Sequence, residues 1–503
     1  MSADRLAHAT EAVVERCISL MVGGGHDHEV HELARLRARL HEPLRVAIAG
    51  RVKAGKSTLL NALVGERLAP TDAGECTKVV SWYRDGHTYA VTEVGRDGGR
   101  RELPFRRDGG TLEIDLQSTP AEIDHLDVMW PSRSLREVTL IDTPGLASAD
   151  DTNSVRTRDF LAVEDDRPSD ADAVIYLMRH MHRLDSEFLE TFFDHTLSNA
   201  SPVNAIAVLS RADEIGAGRM DAVDTARRIA SRYASDERVR SLCSTVVAVA
   251  GLIAETGLTL TEAEAAWLRQ LAALDASELG PLLLSADRFV DPTRTALAPE
   301  NRADLLARLG LFGVRLCIAR IRAGEVSTAV ELARVLVEVS GLTELSGLLR
   351  DHFLPRARTL QVRSVLSGLR AMAARVGASD PALAATVVAG VEELEAGAHE
   401  LAELRLVHLL LTGMVSFGDD DAAEVRRVTG TSGTAARLGL PDDASPAEQQ
   451  AAALAGIEKW RVRGERPTLD PAGREACAVV VRSYEGLYAA AFAPPSVADA
   501  GVA

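Results

Sequence analysis

Residues 50–57 read Gly50-Arg51-Val52-Lys53-Ala54-Gly55-Lys56-Ser57. An apolar run of β type, residues 44–49, leads into this octapeptide, and a helical pattern of leucines leads out of it. Two glycines let the backbone wrap around a polyphosphate, so that several amide groups and the start of a helix point at the anion. The octapeptide therefore predicts a phosphate-binding loop between a strand and a helix, and with it a nucleotide-binding protein.

Two side chains of this loop have roles that follow from their chemistry. Lys56 is expected to meet the outer phosphates as a catalytic residue, and Ser57 to offer its hydroxyl to Mg²⁺. The backbone of the neighbouring residues supplies further contacts to the phosphates. The loop residues predicted to bind the nucleotide are Gly50, Lys53, Ala54, Gly55, Lys56, Ser57 and Thr58.

The whole chain limits the classes of function. Its 503 residues predict about three domains. Its net charge of -17 argues against a nucleic-acid partner, because the mean field repels phosphate. Five scattered cysteines without metal-ligand spacing indicate reduced thiols. Since no targeting pattern and no apolar run long enough to span a bilayer is found, we expect a cytoplasmic protein with at most peripheral contact at the inner face of the cell membrane.

Apolar runs of β type alternate with helical stretches between residues 44 and 251, which predicts a mostly parallel α/β sheet. Beyond residue 260 only helical periodicity is found, so we expect a helical bundle that the N-terminal helices close. The predicted divisions are helices over 1–42, an α/β domain over 43–325 and a helical neck or stalk over 326–503. The predicted strands are 44–49, 79–83, 138–141, 173–177, 205–209 and 246–249. Long stalk helices are predicted over 326–342, 360–374, 382–411 and 447–460, with loops at 419–421 and 428–435.

Asp142-Thr143-Pro144-Gly145 follows a predicted strand and has the pattern of the Walker-B-type turn of a GTPase. We expect Asp142 to reach the shell of Mg²⁺, binding a ligand of the metal rather than the metal itself, and the Gly145 amide to sense the γ-phosphate. Thr77 is predicted to complete the coordination of the metal as a catalytic residue, because a flexible segment precedes it and a strand follows. Thr71 is the competing candidate, and an ordinary strand-capping threonine is the structural alternative.

Base recognition is assigned to Ser210-Arg211-Ala212-Asp213, which follows another predicted strand. The usual GTPase pattern is Asn or Thr, then Lys, any residue and Asp. Asp213 would accept two hydrogen bonds from the guanine N1 and N2 groups, and the alkyl stem of Arg211 would lie against the base. Ser210 and Arg211 depart from the pattern, and a surface turn is the structural alternative. Ala250 and Gly251 are the candidates for a backbone contact to the guanine oxygen.

Together the phosphate loop, Thr77, the DTPG turn, the degenerate base motif and the long helices on both sides resemble a bacterial dynamin-like GTPase, and more narrowly the isoniazid-inducible dynamin-like proteins of mycobacteria. The motifs that carry the resemblance cover residues 43–325. Over the helical remainder, the resemblance rests on architecture and on the segment 309–314. The resemblance implies an α/β P-loop GTPase domain with an all-helical stalk, which hydrolyses GTP to GDP with Mg²⁺. It also implies a homodimer through the GTPase head, or hetero-assembly with a paralogue, and membrane remodelling through a stalk tip.

The chain departs from these relatives where they orient the attacking water. Eukaryotic dynamins place a catalytic Gln at the position of Val52, and small switch GTPases place one at the position of Leu146. In the guanylate-binding relatives an Arg at the position of Lys53 acts in cis as a charge-neutralising finger. We therefore expect the Lys53 ammonium to stabilise charge between the β- and γ-phosphates, or to stand where dynamins hold a monovalent cation. The alternative is a solvated lysine.

Three weaker signals each have a simpler explanation that we favour. His26, His28 and His31 have a spacing that resembles metal ligation, but we favour a solvated polar loop because no fourth ligand is identifiable. The apolar stretch 404–417, or the loop 428–435, could form the membrane tip, and the simpler interpretation is a bundle core. Arginines along one predicted stalk helix could bind lipid headgroups or a partner, and the simpler interpretation is a solvated or ion-paired face.

Two other functions compete with membrane remodelling. In the first, a regulatory GTPase switch or scaffold, the helical half binds a protein partner and no membrane is remodelled. In the second, a GTPase acts in assembly on ribosomal RNA. The second is disfavoured because it would require a basic RNA-binding module, and an acidic chain with a pI near 5.3 offers none.

Overall fold

A computed structural model gives the fold of the chain, and it describes residues 3–22, 25–69, 79–108, 111–120, 122–144, 171–179, 202–291, 297–430 and 433–491. The strands are β1 (Leu44–Gly50), β2 (Val80–Arg84), β3 (Ala90–Gly95), β4 (Arg100–Leu103), β5 (Phe105–Asp108), β6 (Thr111–Ile114), β7 (Ile123–Met129), β8 (Val138–Asp142), β9 (Ala173–Met178), β10 (Ala205–Ser210) and β11 (Val246–Val249).

The α-helices lie on both sides of this strand region in the chain. They are α1 (Ala3–Met21), α2 (Asp27–Arg39), α3 (Lys56–Val64), α4 (Ala222–Ser235), α5 (Glu237–Arg240), α6 (Gly251–Thr259), α7 (Glu262–Ala272), α8 (Ala276–Leu282), α9 (Ala286–Val290), α10 (Pro299–Arg322), α11 (Ala329–Ser340), α12 (Leu342–Leu348), α13 (Ala357–Val376), α14 (Pro381–Gly397), α15 (His399–Leu411), α16 (Asp419–Val428), α17 (Thr434–Leu438), α18 (Pro446–Gly464) and α19 (Pro471–Ala490). A π-helix, Leu349–Phe353, separates α12 from α13.

Nine strands form one sheet in the order β11-β10-β9-β1-β8-β2-β7-β3-β4, and β5 pairs with β6 in a separate hairpin. The strands from β11 to β8 pair in parallel, whereas β2 pairs antiparallel with β8 and β3 antiparallel with β7. Alternate residues of β1 lie in two different cores, Ala47 and Ala49 in one, Val46 and Ile48 in the other. Burial on both faces explains why β1 is a continuous apolar run, and the predicted mostly parallel α/β sheet is confirmed.

The six predicted strands are found within two residues of their predicted ends. The strands β3 to β7 were missed by the sequence analysis. Three of them, β4 to β6, have four residues each, and charged residues interrupt them, as in RREL of β4 and FRRD of β5. Apolar periodicity therefore does not separate them from loops, and their pairing is decided by the neighbouring strands.

Three predictions about the helical segments are wrong in detail. The acidic run that begins at Asp419 is the first turn of α16 and not a loop, since acidic side chains are favourable at a helix N-terminus. The helix predicted over 382–411 is two helices, α14 and α15, which meet at Ala398 in an extended conformation. The helix predicted over 326–342 ends just before Gly341, which takes a left-handed φ of 81°.

The N-terminal helices close the helical bundle, as predicted. The helices α1 and α2 pack against α13 and α14, and the four share a core that includes Leu6, Val14, Leu33, Leu366 and Val391. A second core joins α15, α16, α18 and α19 around the fully buried ring of Trp460. Within the described ranges, none of the helices combines the length and the apolar composition needed to cross a bilayer.

Most apolar side chains of the stretch 404–417 are buried or half-buried, whereas Met414 is 60% exposed. Leu404 and Val407 pack in the same core as residues of β1, whereas Leu406 and Val415 pack around Trp460. The burial of these four residues agrees with the bundle-core interpretation for most of the stretch, and Met414 is its exposed apolar side chain.

The helix α11 belongs by its contacts to the α/β domain. Its residues Leu332 and Leu336 lie in one core with Ile253 of α6 and Leu309 of α10. The predicted division after residue 325 would place α11 in the stalk, and that division stays a prediction.

A buried aspartate joins the α/β domain to the helical bundle. Asp172, next to β9, accepts hydrogen bonds from the Arg45 amide of β1 (3.0 Å), from Arg39 Nη2 of α2 (2.8 Å) and from Ser364 Oγ of α13 (2.7 Å). The side chains of Asp172 and Arg39 are only 1% and 5% exposed. Since three donors, two of them buried, share this carboxylate, its loss would leave all three without that acceptor.

We expect Asp172→Ala to destabilise the protein strongly. Removing one partner of a buried charge pair costs about 3–5 kcal/mol, because the desolvated groups that remain lose their compensation. Thermal unfolding followed by circular dichroism measures the effect as a lower melting temperature.

Asp4→Ala is the matched control for this experiment. Asp4 also joins the N-terminal helices to α13, through Arg358 at 3.9 Å, but its side chain is 79% exposed. Such a surface pair contributes at most about 1 kcal/mol. Equal melting temperatures for the two variants would contradict the role given to Asp172.

Candidate nucleotide-binding site

The phosphate loop joins β1 to α3, and its two glycines lie where the path of the chain requires them. Gly50 has a φ of 151° and approaches β9 so closely that a β-carbon would lie 2.5 Å from the Leu177 carbonyl oxygen. Gly55 takes a left-handed φ of 94° directly before α3. The first amides of α3, which have no acceptor within the helix, are thereby directed to the loop and available to an anion.

Lys56 is buried inside this loop. Its Nζ donates hydrogen bonds to the carbonyl oxygens of Gly50 (3.2 Å) and Arg51 (3.4 Å). Burial lowers the pKa of the Lys56 ammonium, and the Asp142 carboxylate opposes this change. The loop carbonyls thus hold a cation at the position from which a phosphate-loop lysine meets the outer phosphates.

Ser57 and Asp142 form the part of the site that suits a metal. Ser57 Oγ donates to Asp142 Oδ2 at 2.8 Å, and Asp142 Oδ1 is buried without a hydrogen-bond partner. Burial raises the pKa of the Asp142 carboxyl, which Lys56 and the Ser57 hydrogen bond oppose. A hydroxyl, a carboxylate with a vacant oxygen and nearby phosphates are the hard oxygen ligands that Mg²⁺ prefers, so these residues fit the metal.

A pocket extends from the start of α3 to the ends of β10 and β11. Asp213, on the 3-10 turn after β10, is 6% exposed at one end of this pocket. Burial raises the pKa of the Asp213 carboxyl to about 6. Seven of the residues that the sequence analysis selected line the pocket, namely Ala54, Gly55, Thr58, Ser210, Arg211, Asp213 and Gly251.

Arg211 connects the base end of the pocket to the phosphate loop. Its Nη2 donates to the Lys53 carbonyl oxygen at 2.9 Å, and its Nη1 donates to Glu214 Oε1 at 2.6 Å. Both Arg211 (φ 54°) and Lys53 (φ 61°) have a left-handed backbone, which is uncommon outside glycine. The Lys53 side chain is exposed. The sequence analysis missed Glu214, although a carboxylate three residues after an arginine is a signal for such a pair.

Two residues selected from the sequence are engaged elsewhere. The Ala250 amide donates to the Ser340 carbonyl oxygen at 2.8 Å, which leaves Gly251 as the candidate for the guanine oxygen. Ser210 Oγ is directed to the Met178 carbonyl oxygen at 3.2 Å. The apolar lining of the pocket was also missed, because it comes from strand ends and not from motifs: it includes Leu59, Leu177, Val208, Val249 and Leu252. Four residues of the sequence analysis lie outside the described residues: Thr71, Thr77, Gly145 and Leu146.

Among the histidines of the weaker signals, His28 and His31 are exposed as expected, but they lie in helix α2 and not in the predicted loop. His31 Nδ1 lies 2.6 Å from the Asp27 carbonyl oxygen, and within the described ranges no three His, Cys, Asp or Glu residues are placed to hold a metal ion. Along α13, Arg370 forms a two-point pair with Glu395 at 2.7 and 2.6 Å. Arg370 is thus ion-paired, whereas Arg356, just before α13, is buried and donates to the Thr429 carbonyl oxygen at 3.1 Å.

We expect the affinity for GDP to fall as the pH is lowered through about 6. Asp213 accepts two hydrogen bonds only as a carboxylate, and burial raises its pKa to about 6, so below that pH a proton must leave before the base can bind. One linked proton corresponds to a loss of about tenfold in affinity per pH unit. Titration with a fluorescent GDP analogue over a series of pH values measures this dependence.

Asp213→Asn is the control. Ionisation of the GDP phosphates affects both proteins equally, so it cancels in the ratio of their affinities. Near neutral pH the variant should bind GDP more weakly than the wild type. The ratio of the two affinities should then shrink towards low pH. A ratio that does not change with pH would contradict the assignment of Asp213.

Comparisons with known proteins place this site in a family. The sequence model of the Dynamin family matches residues 46–211. Isoniazid-induced protein IniC of Mycobacterium tuberculosis (strain ATCC 25618 / H37Rv) is 42% identical over 465 residues, which are 91% of this chain and 92% of that protein. A bacterial dynamin-like protein of Nostoc punctiforme is 31% identical over 123 residues, 22% of this chain and 18% of that protein. The chain therefore belongs to the dynamin family and is a bacterial dynamin-like GTPase.

Proposed function

We propose that this GTPase works with Mg²⁺, that its head pairs with a second head of the same chain or of a paralogue, and that this pairing moves the helical stalk to bind and remodel a membrane. The observation that carries the nucleotide part is the pocket that extends from Gly55 and Thr58 to Asp213. The assembly and membrane parts are supported by membership of the dynamin family. The place of action would be the inner face of the cell membrane, reached from the cytoplasm.

The residues of the site divide the work between the phosphates and the base. Lys56 neutralises charge on the outer phosphates as the bond to the leaving oxygen breaks. Ser57 would hold Mg²⁺ directly, with Asp142 behind it and Thr77 completing the shell. When bound, Mg²⁺ supplies charge neutralisation between the β- and γ-phosphate oxygens. Asp213 selects guanine by accepting from its N1 and N2 groups.

This chain has no glutamine at the positions of Val52 and Leu146 to orient the attacking water. We assign to Lys53 a different contribution, the stabilisation of charge in the transition state. Val52 is apolar and 43% exposed, so it cannot orient a water molecule. The backbone of Lys53 is fixed by the hydrogen bond from Arg211, while its ammonium is free to move in solvent beside the loop. Closure of the site by a second head would desolvate this ammonium and strengthen its interaction with charge between the β- and γ-phosphates.

We expect Lys53→Ala to lower the maximal rate of GTP hydrolysis by about tenfold to a hundredfold, since an exposed cation contributes less than a buried oxyanion donor. The Michaelis constant and the affinity for GDP should change little, because the charge acts on the transition state. Phosphate release at saturating GTP measures the rate. Lys53→Arg should retain most of the activity, and an unchanged maximal rate in Lys53→Ala would show that Lys53 is a solvated lysine.

A regulatory switch that acts through a protein partner is the second candidate function. It is favoured by the burial of Leu404, Leu406, Val407 and Val415, which keeps most of the apolar stretch 404–417, Met414 excepted, from contact with lipid in this conformation. Membrane binding would then require another segment or a rearrangement of the stalk.

Sedimentation with liposomes separates the two functions. We expect vesicles that contain anionic and zwitterionic lipids to recruit the protein more strongly with GTP than with GDP or without nucleotide. Ser57→Ala is the control, because it loses the hydroxyl offered to Mg²⁺ and should lose the GTP-dependent part of the recruitment. If no lipid composition recruits the wild type while GTP hydrolysis persists, the switch is the correct function.

A further inference from the structure

The helix α10 is broken at Gly310, next to the base end of the pocket. Gly310 has φ 61° and ψ 174°, although the residues on both sides of it are helical. This combination of angles is adopted essentially by glycine alone. A break with such angles persists only where the surrounding structure holds it in place.

The break lies against two residues that line the pocket, Asp213 and Leu252. A β-carbon on Gly310 would lie 3.5 Å from Asp213 Oδ2 and 3.9 Å from Leu252 Cδ2. These are ordinary contact distances, so space alone does not demand glycine at this position. Glycine is required by the backbone angles at this position, which let α10 change direction next to the Asp213 carboxylate.

The helix is anchored on both sides of the break. Before it, the buried Thr256 hydroxyl of α6 donates to the Arg308 carbonyl oxygen, an acceptor that the break removes from the regular helical pattern. After it, Arg315 Nη1 donates to the Gly218 carbonyl oxygen at 2.6 Å, at the end of the turn that carries Asp213. A β-carbon on Gly218 would lie 3.4 Å from the Asp213 carbonyl oxygen, so the turn folds back close to that residue.

We propose that Gly310 is a specificity-determining positioning residue, whose break in α10 sets the place of the Asp213 carboxylate and hence the discrimination of guanine from other purines. The inference rests on the proposed role of Asp213 in base recognition. Gly310 and Arg315 act through the turn that ends at Gly218 and do not themselves touch the nucleotide. Two hydrogen bonds to one base edge require the carboxylate within about 0.5 Å of its place, so a small shift of α10 is enough to lose one of them.

Comparison of GTP with ITP isolates this effect, because hypoxanthine keeps the N1 hydrogen and lacks the 2-amino group of guanine. One hydrogen bond to a carboxylate corresponds to a preference of about 10- to 100-fold. The wild type should therefore prefer GTP over ITP in kcat/KM by about that factor. Gly310→Ala forces the backbone out of its glycine-only angles, and we expect the preference to fall to about threefold or less, with GTP losing more than ITP.

Gly324→Ala is the matched control for this variant. Gly324 follows α10, has a similar left-handed φ of 71°, and would place its β-carbon in open space. Gly324→Ala also places a β-carbon on a left-handed backbone of the same segment, and it should keep the GTP preference of the wild type. A folded Gly310→Ala protein with an unchanged GTP preference would overturn the inference.

Arg315→Met decides the question if Gly310→Ala does not fold. It removes the donors to the Gly218 and Leu283 carbonyl oxygens and should also lower the preference for GTP. Arg322→Met is its control, since Arg322 lies on the same helix and likewise donates to two carbonyl oxygens, those of Ala272 and Leu274. Equal preferences in these two variants would overturn the inference. A wild type that does not distinguish GTP from ITP and ATP would instead overturn the proposed role of Asp213.

Discussion

Strand β1 constrains the whole molecule, because it lies inside the sheet between β8 and β9 and carries a polar junction at each end. At its carboxyl end, Gly50 passes so close to the Leu177 carbonyl oxygen that only glycine fits, and the phosphate loop begins there. At its amino end, the Arg45 amide donates to Asp172, which also binds α2 and α13. The nucleotide site and the helical bundle are thus attached to opposite ends of one element that is packed on both faces.

Asp172 and Asp142, which lie near these two ends of β1, differ in how their carboxylate oxygens are bound. Asp172 has hydrogen bonds to both carboxylate oxygens, as buried polar groups in native proteins normally do. Asp142 has one oxygen bound by Ser57 and the other buried without a partner. Burial raises the pKa of Asp142, and a divalent cation nearby would favour its charged form. Asp172 therefore holds β1, α2 and α13 together, whereas one oxygen of Asp142 has the position and chemistry to bind a ligand.

The base end of the pocket is built from elements that lie far apart in the chain. Arg211 reaches the Lys53 carbonyl oxygen across 158 residues, and the Ala250 amide is held by Ser340 at the end of α11. Gly310 of α10 lies beneath Asp213. Since α11 continues through α12 and the π-helix into α13, the base end touches the same stretch of chain that enters the helical bundle.

The two residues of the base motif that differ from the usual GTPase pattern both form hydrogen bonds within the site. Ser210, in the position of Asn or Thr, bonds the Met178 carbonyl oxygen of the neighbouring strand. Arg211, in the position of Lys, has enough donors to bind Lys53 and Glu214 at once. The sequence by itself determined the phosphate loop, the DTPG turn, the strand alternation and the helical half, because each is a short pattern with local chemistry. Only the tertiary structure decided the strands β3 to β7, the Asp172 junction, the reach of Arg211 to Lys53 and the break at Gly310. Those features depend on contacts between distant residues, whose partners are chosen by the packing of the whole chain and leave no local pattern.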